Sequence, residues 1–142
     1  MWVRAETTMP SPVESLEDAL AGLSPQTLAA LAQEASRDGC HLRAQLAGPI
    51  QRSGGTTHHL RWWNDGERSL TPSLDGELEL RSQGRVTAGI AITAQYRCRA
   101  SLGELADSMF LRRVATSVVN TFLGLLVEYL QQTQRALVPA GA

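Results

Sequence analysis

Lysine is missing from this 142-residue chain: the Lys and Arg positions number 13, and every one is arginine. Without lysine there is no Schiff base, no Ser–Lys dyad and no P-loop lysine. Cysteine is scarce. The two, Cys40 and Cys98, lie far apart and form no CxxC, so neither a disulfide framework nor a redox motif is expected. A surplus of positive charge is lacking too, since 13 basic residues face 14 acidic ones for a net charge of −1. Arg4, Arg37, Arg43 and Arg52 are scattered, and Arg112–Arg113 is the one adjacent pair. That pair reads as a solvated helix face, and no nucleic-acid partner is expected. Arg4 and Glu6 stand where a secretory signal would be apolar. Val114–Leu130 is apolar but broken by Thr116, Ser117, Asn120, Thr121 and Glu128. It is expected to fall short of the ~20 apolar residues that span a bilayer. The chain reads as soluble and cytoplasmic, not transmembrane, and its Ala- and Gly-rich usage suggests a GC-rich coding sequence.

Hydrophobic patterning is what the chain does have. Trp2–Thr8 is a candidate first strand, ended by Met9-Pro10-Ser11-Pro12. Val13–Leu23 and Ser24–Arg37 read as two short helices or one broken one, with Ser11 or Ser15 able to cap the first. Ser24-Pro25 is a helix start: serine at the N-cap, proline at the first helical position. Leu28, Leu31, Ala32 and Ala35 then make one apolar face, and Asp38-Gly39 ends the helix. His41–Ile50 alternates, with Leu42, Ala44, Leu46 and Gly48 on one face. Ser53-Gly54-Gly55 turns the chain into Thr56–Trp63, where His58, Leu60 and Trp62 share a face. Asn64-Asp65-Gly66 is a second turn signal. Leu74–Arg81 alternates again, and Gln83-Gly84 leads into Arg85–Arg99, where Ile90, Ile92, Ala94 and Tyr96 share a face.

The last element is a predicted helix over Leu102–Gln134, nearly 50 Å long at about 1.5 Å per residue. Leu105, Met109, Val114, Ala115, Val118, Phe122, Leu125, Leu126 and Tyr129 form a stripe wide enough to face a sheet. Leu123 and Val127 fall off its centre, toward the short helices or a partner chain. The order is strand, helices, strand meander, long helix, which predicts an α+β fold. Residues 1–136 are expected to form one domain and 137–142 a frayed tail.

Several stretches resemble the START-like, or SRPBCC, superfamily, the polyketide cyclase/dehydrase and lipid-transport group, in its actinobacterial form. They are Trp62, Pro72-Ser73-Leu74-Asp75-Gly76, Tyr96-Arg97 and Leu111-Arg112-Arg113-Val114-Ala115. The resemblance runs from about Arg4 to Leu130 and marks a fold rather than a reaction. It implies a helix-grip fold: a curved antiparallel sheet wrapped around the C-terminal helix, enclosing an apolar cavity. Where similar sequences often carry Pro-Pro-Leu-Gly after Tyr-Arg, this chain has Cys98-Arg99-Ala100-Ser101-Leu102-Gly103.

Constellations for other chemistry are weak. His58 and His59 are adjacent on a strand and point to opposite faces, so they do not share an ion with Cys40 or Cys98. Asp75, Glu77 and Glu79 share one strand face and read as its wet side. Ser101 lies in no G-x-S-x-G elbow. No metal and no cofactor is expected. The sharper group is His58, Trp62 and Tyr96, polar or amphipathic side chains on the face assigned to the helix. With Leu60, Ile90, Ile92, Met109, Val118, Phe122 and Leu126 they are the expected lining of the cavity. The leading expectation is binding of a hydrophobic or amphipathic small molecule, such as a lipid, between sheet and helix. Alternatives are a polyketide cyclase/aromatase-like enzyme using His58 or Tyr96, and a non-catalytic homodimer formed through Leu123 and Val127. No acid–base pair stands out, so catalytic residues stay unassigned and an enzyme is the less expected reading.

Overall fold

A computed structural model describes residues 1–37, 41–65, 72–97 and 108–137. Its elements are β1 (Trp2–Met9), α1 (Val13–Ala21), α2 (Pro25–Ser36), β2 (Leu42–Arg52), β3 (Gly55–Asn64), β4 (Ser73–Ser82), β5 (Ala88–Arg97) and α3 (Ser108–Leu137). The strands form one antiparallel sheet in the order β1-β5-β4-β3-β2. The three helices cover one face of it. This is the α+β arrangement that the alternating segments and the long terminal stripe predict. The expected helix stop at Asp38-Gly39, the Gly66 end of the second turn, the Cys98–Gly103 loop, and the first turns of the long helix with Leu105 lie outside the described residues.

Local chemistry explains most boundaries. Ser24 caps α2 by accepting a 3.1 Å hydrogen bond from the Thr27 amide, with Pro25 next in line. Gly54, at φ 79, makes the β2–β3 turn. The first helix behaves differently: its N-cap is Pro12, and no side chain caps it. Ser11, a capping candidate in the sequence, instead accepts a 2.6 Å hydrogen bond from Gln134 of α3.

Strand alternation places the core. Leu60, Gly76 and Ala94 stand in one cross-strand row. His58, Leu78 and Ile92 make the next, and Trp62, Leu74 and Tyr96 the row on the other side. β2 follows its predicted face for half its length: Leu42 and Ala44 are buried, Leu46 is half-buried and Gly48 is exposed. The cause is a register shift between Ala47 and Ile50. α3 lays Ala115, Val118, Val119, Phe122, Leu123, Leu126 and Leu130 into the core. Leu123, expected to lie off the sheet-facing stripe, is only 3% exposed, because α2 gives α3 a second wall. It therefore offers no surface to a second chain.

By length and composition Met109–Arg135 does reach the range of a membrane span, since an 18-residue window within it has a mean hydropathy of 1.4 despite the polar interruptions. Its buried stripe nevertheless packs as a core helix, which passes the same test.

One glycine fixes how closely β4 and β5 approach. A Cβ on Gly76 would stand 2.3 Å from the Thr93 carbonyl oxygen and 2.4 Å from the Ala94 Cα. Those are backbone atoms that cannot swing aside. Gly76→Ala is therefore expected to lower stability by about 1–3 kcal/mol in urea unfolding. A change under a few tenths would show that the strands separate freely there.

Candidate functional site

Nine of the ten expected lining residues lie together inside the molecule. His58, Leu60 and Trp62 come from β3, Ile90, Ile92 and Tyr96 from β5, and Val118, Phe122 and Leu126 from α3. Met109 does not join them. It is 68% exposed at the start of α3, beside Arg112, Arg113 and Thr116. The reason is length: a 30-residue helix runs about 45 Å, whereas ten-residue strands run about 33 Å. The helix overhangs the sheet, and Met109 is on the overhang.

The space between the layers is closed at these nine residues. Leu60, Ile92, Phe122 and Leu126 are wholly covered by protein atoms, each at 0% exposure. Phe122 sits on Trp62 with ring centroids 4.8 Å apart and planes tilted by 56°. The gap expected here is thus filled by side chains. The grooves found among the described residues are on the outside. One of about 540 Å³ runs between α2 and β2, past Ala29, Gln33, Arg43 and Trp63.

One polar atom in this interior is left over. The indole N–H of Trp62, a residue 1% exposed, has no hydrogen-bond acceptor. Most buried donors are paired, and an orphan costs about 1–3 kcal/mol. Trp62 lies in the row that ends at Tyr96, with Leu74 between them.

A second feature escaped the sequence reading. His58 meets Glu17 of α1: its Nε2 is 3.2 Å from Glu17 Oε2 and 3.4 Å from Oε1. Thr56 Oγ1 donates to the same Glu17 Oε1. Both His58 and Thr56 are buried, and the Glu17 side chain is 20% exposed. This acid–base pair was not legible because Glu17 sits among Glu14 and Asp18 on a short helix, where it looks like another solvated carboxylate. Glu17 and His58 are 41 residues apart, so only the docking of α1 brings them together. The outer face fulfils its plainer reading: Asp75 pairs with His59 at 2.6 Å, both exposed, and half-buried Glu79 pairs with exposed Arg81 at 3.3 Å. Such surface pairs contribute little. Among the described residues no cluster of three His, Cys, Asp or Glu side chains could hold a metal.

The polar cluster should show measurable coupling. A double-mutant cycle on Glu17→Ala and His58→Ala is expected to give an interaction of about 1 kcal/mol or more in urea unfolding. Strict additivity would mean that the two side chains merely lie near each other.

No protein-family model and no curated protein matches the sequence. Solved structures do match in shape. A conserved protein from Geobacillus kaustophilus aligns with a TM-score of 0.57 and 11% identity, over 96% of each chain. TTHA0849 from Thermus thermophilus aligns at 0.55 and 11% identity, over 94% of this chain and 99% of that one. The ZhuI aromatase/cyclase from Streptomyces sp. R1128 aligns at 0.50 and 10% identity, over 100% and 98%. With its five-stranded antiparallel sheet, two short helices after the first strand and long terminal helix, the chain has the START-like, helix-grip fold.

Proposed function

We propose that this chain binds an amphipathic small molecule between the sheet and α3, at the end of the interface where Trp62 and Tyr96 stand. The observation that carries this reading is the buried, unpaired indole N–H of Trp62. A carbonyl, ether or hydroxyl oxygen of a ligand would accept from it. A neighbour of the same fold is an aromatase/cyclase, which supports a small organic molecule as the ligand class. Phe122 covers Trp62 in the closed state, so the ligand takes over that contact. A ligand burying roughly 200 Å² of its own apolar surface gains about 5 kcal/mol. The hydrogen bond to Trp62 adds about 1 kcal/mol and sets which end points inward.

The rival readings have less to stand on. A cyclase-type reaction would work through His58 or Tyr96, and Glu17 engages Nε2 of His58, which leaves only Nδ1 of that ring to meet a substrate. A homodimer through Leu123 and Val127 needs exposed side chains, and Leu123 is buried within its own chain while Val127 is half-buried against the same core.

Native mass spectrometry of the purified protein, followed by denaturing extraction, is expected to reveal a stoichiometric apolar adduct. Trp62→Phe keeps a ring against Phe122 and removes the N–H. It is expected to weaken binding of the released compound about ten-fold. A bare mass, together with equal binding by wild type and variant of any apolar compound offered, would overturn the reading.

A further inference from the structure

Among the described residues the interior is closed, so entry past them requires one of the covering elements to move. α1 is the least firmly held of the three helices. It is the shortest at nine residues, has no side-chain cap at its start, and touches the rest of the chain less than α2 or α3, although like α2 it buries three side chains, Leu16, Ala19 and Leu20. A helix this short is not stable alone and exists through its contacts. α2 is longer, is capped by Ser24, and packs against both β2 and α3. α3 carries the main apolar stripe.

What α1 does have is one directional polar attachment to the sheet. Glu17 accepts from Thr56 and pairs with His58, two inward-facing positions on β3. His58 has Leu78 and then Ile92 beside it in its row, and Thr56 has Leu80 and then Ile90. The attachment is therefore an island of polarity at the edge of the apolar interior. An apolar side chain at position 17 could in principle be covered without the desolvation of a carboxylate and an imidazole. Such a cluster breaks in one step, because losing the carboxylate leaves both β3 groups without their partner.

We propose that Glu17, His58 and Thr56 form a latch that holds α1 against the sheet, and that release of α1 is how the interior opens. The second half of this proposal rests on the small-molecule reading; the latch itself does not. Opening at α1 leaves the Phe122–Trp62 contact and the α2–β2 contact in place until the ligand arrives. The Ser11–Gln134 hydrogen bond ties the segment before α1 to the far end of α3. The movement is thus a swing of α1 about that tether rather than loss of the whole N-terminal region. Local openings of this kind, with free energies well below global unfolding, are ordinary for elements with few buried contacts.

Hydrogen exchange of the unliganded protein tests the latch without any ligand. In Glu17→Ala the α1 amides from Leu16 to Ala21 are expected to exchange about ten-fold faster, with β4 and α2 unchanged. Glu17→Gln, which keeps an acceptor for Thr56, and Thr56→Val, which keeps the volume, should each shift exchange less than Glu17→Ala. Unchanged α1 exchange in all three variants, or a uniform acceleration across the sheet, would overturn the latch. The gate is tested separately with 8-anilinonaphthalene-1-sulfonate as the probe, in stopped-flow fluorescence. Its uptake should accelerate about ten-fold in Glu17→Ala. Faster α1 exchange with unchanged dye uptake would overturn α1 as the gate. If neither protein takes up dye, the binding reading fails, and the exchange result still decides the latch.

Discussion

The contact of Phe122 on Trp62 is where the two layers of this molecule are joined, and the rest of the interior is arranged around it. Phe122 comes from the middle of α3 and Trp62 from β3, near one end of the strand. Their rings meet at a tilt of 56°, with centroids 4.8 Å apart. That contact spans the two layers. It leaves Leu60 and Leu126 fully covered and closes the space in which this fold could hold a ligand. It also confines the indole N–H of Trp62 where no protein acceptor reaches it. One contact thus closes the interior and leaves one polar demand unmet.

Two kinds of polar group lie in that interior, and they are held differently. The Trp62 indole N–H is unsatisfied, with no acceptor among the described residues. His58 is satisfied, and its partner comes from α1. Both belong to the same face of β3, four residues apart, with Leu60 between them. An apolar center flanked by an open donor on one side and the His58–Glu17 contact on the other gives the interior a direction. In the proposed reading the open donor orients a ligand, and the contact holds the cover.

Much of this was legible from the residues, because local rules governed it. The period-two alternation in β3 and β5 places His58, Leu60, Trp62, Ile90, Ile92 and Tyr96 on one face. Ser24-Pro25 marked the start of α2 to the residue. The Pro72–Gly76 stretch carries a family likeness, and the close approach of β4 and β5 at Gly76 supplies a physical reason for its glycine. What escaped was set by tertiary placement. Glu17 looked solvated because a nine-residue helix gives no sign of which side docks. Periodicity leaves Leu123 to the short helices or a partner chain, and the docking of α2 decides for the first. Met109 looked internal because the helical period says nothing about where the sheet ends beneath it. The expected gap was filled because periodicity reports which side chains face each other and not how far apart they stand.

The central claim is that the Trp62 indole donates to a bound ligand. The ¹⁵N–¹H indole resonances of protein stripped by denaturation and refolding test this most directly, before and after adding back the compound released on extraction. Trp62 should begin at the position of an unbonded indole and move downfield on addition. Exposed Trp2, and Trp63 under the Arg61 guanidinium 5.1 Å from its ring, should stay in place. A Trp62 signal that is already hydrogen-bonded in the stripped protein, or one that stays still while Trp2 or Trp63 moves, would contradict the account.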